Sequence, residues 1–281
     1  MVRERIADDI YVFTSRRYAQ VTAGAVLTQE GVILVDTLFY PEETQAVKDF
    51  LERRLGLQVR YVINTHYHAD HTHGTYLFPG ADVVAHAECR RLLDTVGREG
   101  LARMQENWPE LADVRVVLPN LYFERGFIDV HLGGKTVRVT HTPGHSPDLI
   151  SALVVDDQIL FASDNMMPVP TIFDGSYDDL VGSLQAMLEM KLDSVVRGHG
   201  EVLLRGEIET VVESDLAYLA TIREAVAQAV ANGEPEAALE RITIEECGKS
   251  RLPLNGFVTD LHQANLRKLY GELTPESALA G

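Results

Sequence analysis

The stretch Asn64-Thr65-His66-Tyr67-His68-Ala69-Asp70-His71-Thr72-His73-Gly74 limits this chain most. Four of its side chains, His66, His68, Asp70 and His71, are metal-binding types at fixed spacing. On an extended or turning backbone, His66 and His68 point to one side, because side chains there repeat every two residues. Asp70 and His71 follow at once and can face a second ion. Neutral imidazole and carboxylate suit zinc, iron or manganese. The preceding run, Gln58 to Ile63, reads as a buried strand through Val59, Tyr61, Val62 and Ile63. A rigid strand that delivers a ligand loop is how α/β folds hold sites.

The 281 residues, 46% hydrophobic, suffice for one large domain or a domain with an appendage. No apolar run approaches the roughly 18 residues of a membrane span. The start, Met1 to Asp9, is charged and has no apolar signal region, so the expectation is a cytoplasmic protein without membrane partners. Cys89 and Cys247 suggest no disulfide framework and read as reduced, partly buried thiols. A net charge of −17 repels nucleic acid in the absence of a basic patch. The densest clusters, Arg53-Arg54 and Arg90-Arg91, lie among acids on helix-like segments and read as solvated faces.

In chain order, Ile10 to Thr14, Ala25 to Thr28 and Val32 to Asp36 are strands, the last two joined by a turn at Gln29-Glu30-Gly31. Pro41 opens a helix with Ala46, Val47, Phe50, Leu51 and Leu55 on one face and Gly56 as its stop. Asp82 to Ala85 is a strand and Ala87 to Glu106 a helix. The irregular stretch 107–120 reads equally as a pocket-shaping lid or as a surface connection anchored by Trp108. A second strand series starts near Leu121 and includes hairpins about Gly133-Gly134 and Asp156-Asp157. Tyr177 to Leu192 is a helix with Leu180, Leu184, Met187 and Leu188 facing the core, and Ser194 to Arg197 is a short strand. Beyond Arg205 the composition turns helical: Glu207 to Asn232, then Glu236 to Ile244, then Phe257 to Leu273.

Three more donors, His145, Asp164 and His199, each follow an expected strand, as the His-rich loop does. Ligands at the carboxyl ends of several strands converge on one sheet edge. Seven donors exceed one tetrahedral zinc; they suit two ions with a carboxylate between. His86, His131, His141 and His262 read as structural or surface residues. His73 reads equally as a support for a ligand or as packing, and Tyr67 as a donor to substrate or a packed ring.

The chain resembles the metallo-β-lactamase-fold superfamily from about Ile10 to Arg205. The resemblance rests on His66-x-His68-x-Asp70-His71, Thr142-Pro143-Gly144-His145-Ser146, Phe161-Ala162-Ser163-Asp164 and Gly198-His199-Gly200, in that order. It implies an α/β fold, an αββα sandwich over 1–205, with residues 206–281 as a helical extension packed on it. It also implies that His66, His68 and His145 hold one divalent ion, Asp70, His71 and His199 a second, and that Asp164 bridges them. Ser163 stands where many members have glycine.

Zinc is the expected metal, with iron or manganese as alternatives. Two ions about 3.5–4 Å apart acidify a shared water, and the hydroxide attacks a carbonyl or phosphoryl centre. Asp70 serves as ligand and as the residue that orients the nucleophile. No Gly-x-Ser-x-Gly elbow is present. The expected activity is hydrolysis of a small ester, thioester or lactone, with β-lactams less favoured for want of a secretion signal. Two alternatives stay open: a mononuclear iron dioxygenase resembling persulfide dioxygenases, on His68, His145 and Asp164, and a phosphodiesterase or alkyl sulfatase. The loop from Asn165 to Tyr177 either lines an apolar substrate pocket or packs on the helical tail. That tail covers the pocket, forms a homodimer face or only caps the sandwich.

Overall fold

The computed structural model describes residues 1–274; residues 275–281 of the expected helical extension lie outside the described residues. Two mixed sheets face each other. The first runs, in both sequence and space, through β1 (Val2–Ala7), β2 (Ile10–Thr14), β3 (Thr22–Thr28), β4 (Gly31–Val35), β5 (Val59–Ile63), β6 (Asp82–His86) and β7 (Leu121–Phe123). Its first four strands are antiparallel and β4 to β7 are parallel. The second contains β8 (Phe127–Leu132), β9 (Lys135–His141), β10 (Ile150–Val154), β11 (Ile159–Ser163), β12 (Ser194–Arg197) and β13 (Leu203–Leu204), in spatial order from β13 to β8. Within it β11 and β12 are parallel and the other pairs antiparallel.

Period-two alternation explains the layers. In β4, Ile33 and Val35 join the core between the sheets, while Val32 and Leu34 face the opposite way. There they meet Val47, Phe50 and Leu51 from α1 (Pro41–Lys48) and its π-helical continuation, Asp49–Arg54. In β11, Ile159 and Phe161 point into the intersheet core. Leu160 and Ala162 point out, towards α5 (Tyr177–Leu188), α6 (Arg205–Ala231) and α7 (Val258–Leu273). The order is helix, sheet, sheet, helix: the αββα sandwich. Two short helices complete the first half, α2 (Ala69–Thr72) and α3 (Ala87–Leu92), and a π-helical stretch, Leu93–Gly97, joins α3 to α4 (Arg98–Gln105).

Several expectations need correction. Leu121 does not begin the second sheet, because β7 pairs with β6 and ends the first. The charged start is an exposed edge strand; Arg3, Glu4 and Arg5 hid its strand character and suit an unpaired edge. Ala46 and Leu55 are exposed: Ala46 lies outside the buried stripe of Glu43, Thr44 and Val47 on α1, and the π-helical turns after Lys48 rotate Leu55 away from the apolar face. The helix from Tyr177 ends at Leu188, which is exposed, four residues earlier than expected. The segment from Glu236 becomes a short 3₁₀ turn, Glu236–Arg241. Stretch 107–120 anchors Trp108 edge-on to Phe39, ring centroids 5.2 Å apart.

The C-terminal helices are tied to the sandwich by more than apolar contact. Asn265 on α7 is fully buried. Its amide oxygen accepts from the Ile172 N–H at 2.8 Å, and its amide nitrogen donates to the Pro170 carbonyl at 2.7 Å. Asn265→Ala leaves two buried backbone groups without partners and should cost about 2–4 kcal/mol in chemical denaturation. Tyr218→Phe, which removes only the hydroxyl beside the same amide, should cost less than half of that. Equal, small losses from both would refute this anchoring role.

Candidate metal centre

The donors gather where strands β5, β9, β11 and β12 end on one edge of the sandwich. After β5, the Asn64 N–H continues the ladder to Val84, and the Thr65 N–H and hydroxyl both donate to Asp36, at 2.8 and 2.7 Å. His66 follows in a bend, and His68, on extended backbone, starts α2, which carries Asp70 and His71. His145 sits on the loop between β9 and β10, its N–H donating to Asn165 Oδ1. Asp164 directly follows β11, and His199 follows β12 by two residues.

All seven expected donors come together, in two adjacent groups: His66, His68, His145 and Asp164 in one, Asp70, His71 and His199 in the other. Within each group the ligand atoms all lie within 4.8 Å of one another. Asp164 touches both groups. Its Oδ1 is 3.1 Å from His71 Nε2, and its Oδ2 is 3.4 Å from His145 Nε2, 3.5 Å from His199 Nε2 and 3.9 Å from His66 Nε2. His68 presents Nδ1, 2.9 Å from His66 Nε2 and 3.1 Å from His145 Nε2.

Backbone and carboxylate acceptors on the far side of the rings set the tautomers. His145 Nδ1–H donates to the Thr171 carbonyl and His199 Nδ1–H to the Ala19 carbonyl, each at 2.8 Å. His71 Nδ1 meets Asp36 Oδ2 at 2.9 Å. In all three the Nε2 faces the cluster. Asp36, whose pKa is raised by burial against the pull of His71, escaped the sequence reading. The signal was available, because Asp36 ends an expected strand on the same edge. Asp174 also escaped notice; it accepts from the Tyr67 hydroxyl and lies 3.5 Å from His68 Nε2.

Two small residues make the fit possible. A Cβ on Gly198 would lie 1.8 Å from Asp164 Oδ1, so only glycine lets β12 pass the carboxylate. Ser163 takes the left-handed conformation (φ 50°) that glycine adopts freely, and it uses its side chain: Ser163 Oγ lies 2.7 Å from Thr65 Oγ1.

Burial, followed by the neighbouring His71, pushes the pKa of His66 well below the usual value; burial also brings His145 down to about 4. These are neutral imidazoles, the state that ligates metal. Burial opposes charge on His71 and His199 too, yet Asp164 and Asp70 overcome it. His71 lies well above the normal value and His199 at about 10. Burial raises and the histidines lower the pKa of Asp164, with His71 the strongest, and the net shift is far down. Among the described residues, His71 Nε2 and Asp164 Oδ1 are buried at the cluster without a hydrogen-bond partner. Such a donor set, imidazoles and carboxylates with orphaned atoms turned inward, fits divalent cations.

The remaining histidines divide as expected. His86 stacks on His141 at 3.9 Å and caps α3 through the Glu88 N–H, and His131 is exposed. His262 bridges Tyr218 and the Ile242 carbonyl. Met166, Met167, Val169 and Ile172 pack with the helical tail. Phe173 stays exposed and sets its ring 4.9 Å from His68.

Two facing sheets, outer helices and a His/Asp cluster at the strand ends define a metal-site αββα fold. The chain belongs to the metallo-beta-lactamase superfamily, whose family model matches residues 16–204. It is 28% identical over 183 residues to a hydroxyacylglutathione hydrolase of Rhodopseudomonas palustris (strain BisB5), covering 64% of each chain. It is 27% identical over 253 residues to an atrochrysone carboxyl ACP thioesterase of Pseudocercospora fijiensis, covering 85% of this chain and 66% of that one. The chain therefore spans slightly less than two thirds of these relatives' own length. In fold it is similar to a metallo-beta-lactamase family protein from Thermus thermophilus, with a TM-score of 0.70 at 19% identity over 98% of this chain and 96% of that one. That likeness extends over the C-terminal helices. No helix among the described residues is long and apolar enough to cross a membrane.

His73, beside the cluster, is buried against Phe39, which pushes its pKa down to about 4. An unfolded histidine titrates near 6.5. Between these values the unfolded chain binds more protons, so this contribution to stability is complete above pH 6.5 and is lost as pH falls towards 4. The loss is on the order of 3 kcal/mol. On lowering the pH from 7 to 4, metal-free wild type should lose more stability than His73→Phe, by on the order of 3 kcal/mol in chemical denaturation. Parallel curves would contradict a buried neutral His73.

Proposed function

We propose that this protein is a metal-dependent hydrolase that adds water to the carbonyl of a small ester, thioester or lactone. The observation that carries the reading is the contact of Asp164 with histidines of both donor groups. His66, His68 and His145 would hold one ion, Asp70, His71 and His199 a second, and Asp164 would lie between them. Divalent ions bound there, zinc for preference, would acidify water and polarise the carbonyl. The similarity to a hydroxyacylglutathione hydrolase and to an ACP thioesterase supports a carbonyl substrate.

The chain's own residues supply the rest. The side chains of His68 and Asp70 keep 14% exposure, whereas those of the other five donors keep 5% or less. Substrate therefore approaches past His68 and Asp70. Without metal, His71 and His199 outweigh burial and keep Asp70 ionised, and bound cations would do the same, so its carboxylate can accept a hydrogen bond from the attacking water and orient it. Water oxygen bonds to the carbonyl carbon, the bond to sulfur or oxygen breaks, and the departing thiolate or alkoxide takes a proton. Tyr67 and Asp174, linked to each other on the side of His68, hold that ring in place. The acidic surface fits a small-molecule substrate rather than nucleic acid, since Arg91 and Arg53 are paired with Glu88 and Asp49.

Protein purified without added metal should contain about two zinc, manganese or iron ions per chain, and fewer in Asp164→Ala and His199→Ala. Thioester and lactone hydrolysis should disappear with a chelator and return with zinc. One iron per chain, retained in His199→Ala and accompanied by oxygen uptake, would favour the dioxygenase instead. Because His71 and His199 are held protonated and must lose protons to ligate, metal loading at pH 7 should release about two protons. Calorimetry in buffers of different ionisation enthalpy measures this. No release would mean that metal does not displace protons from His71 and His199.

A further inference from the structure

A concavity of about 340 Å³ opens beside the donor cluster, walled by Tyr67, His68, Leu93, Val96, Met104 and Phe173. His68 is the only one of the seven donors on its wall. Its polar side chains are Tyr67, His68, Thr72, His73 and Arg103, the last exposed and 3.9 Å from Glu99. The Tyr67 hydroxyl donates to Asp174, and the Thr72 hydroxyl donates to the His68 carbonyl at 2.9 Å. What they leave is an apolar chamber whose polar end is the site of reaction.

Gly100, on α4, also lines the chamber. Its backbone has no positive φ, and a Cβ built on it meets no atom within 4 Å. Neither conformation nor packing requires glycine there, yet glycine in a helix interior costs about 1 kcal/mol relative to alanine. The missing side chain leaves only volume in the chamber. At about 30 Å³ per non-hydrogen atom, the chamber holds on the order of ten such atoms.

We propose that this chamber is the acyl-chain pocket of the enzyme and that the preferred substrates carry medium-length apolar acyl groups, octanoyl to decanoyl in size. The inference rests on the hydrolase reading above. The acyl arm is assigned to the chamber because a long polar leaving arm, such as a peptide or pantetheine, exceeds its volume and would lose its hydration there. The carbonyl then lies at the donor cluster, with the chain directed past His68 between Phe173 and α4.

The test uses the zinc-loaded full chain and N-acetylcysteamine thioesters from acetyl to dodecanoyl. Each methylene buried should raise kcat/KM about threefold to fourfold until the chamber is full, near decanoyl, after which the gain stops. Gly100→Leu should lower the decanoyl-to-acetyl ratio of kcat/KM by about tenfold or more, and Met104→Ala should move the optimum to longer chains. A parallel series, with acetyl fixed and the thiol lengthened, should show no such rise. Independently of turnover, the non-hydrolysable decanoyl amide of cysteamine should bind in calorimetry and bind about tenfold more weakly to Gly100→Leu. Hydrolysis without chain-length dependence, or a rise that follows the thiol series, overturns the acyl pocket and leaves the hydrolase reading intact. Amide binding that depends on Gly100, with no thioester hydrolysed, overturns the hydrolase reading and upholds the chamber as an acyl site.

Discussion

One buried carboxylate sets the terms for this structure. Asp164 lies within 4 Å of four imidazoles, from His66, His71, His145 and His199, on segments that follow β5, β9 and β12. A carboxylate out of water is costly unless cations or donors surround it. Here the surrounding positive charge comes from protonated His71 and His199, or from metal in their place. Gly198 is bare so that β12 can pass this group, and Ser163 accepts a left-handed backbone to aim it.

A sandwich suits such a site because rigid strands converge while their loops remain free to carry chemistry. Each ligand loop is also anchored from behind. Asp36 at the end of β4 holds Thr65 and His71, the Thr171 carbonyl holds His145, and the Ala19 carbonyl holds His199. The loop that carries Thr171 is itself held by Asn265 of α7. Through that amide the C-terminal helices bear on the orientation of His145, so the helical tail is more than a cap. The same loop ends in Phe173, which closes one side of the chamber beside His68.

The donor loops were legible in the sequence because ligand chemistry needs particular residue types at particular spacings, and strand ends mark where such residues converge. All seven residues that the structure gathers at this edge were read in this way. The supporting partners were harder to see. Asp36 ends an expected strand, but its reach to Thr65 and His71 shows only once β4 and β5 are known to be neighbours, and Asn265 acts across 93 residues of chain on Ile172. Backbone carbonyls such as those of Ala19 and Thr171 leave no mark in composition at all. Boundaries failed where local rules were overridden. The π-helical turns moved Leu55 into solvent, β7 joined the first sheet rather than the second, and charged residues concealed the edge strand β1. The chamber also lay beyond the sequence, since it depends on how α4 stands against the His-rich loop.

The central claim is that two metal ions occupy adjacent positions on either side of Asp164. Anomalous diffraction from crystals of the metal-loaded protein, collected on both sides of the metal's absorption edge, tests it most directly. The account predicts two peaks, one among His66, His68 and His145 and one among Asp70, His71 and His199, with the Asp164 carboxylate between them. A single peak outside both groups, or no peak at this edge of the sandwich in fully loaded crystals, would contradict it.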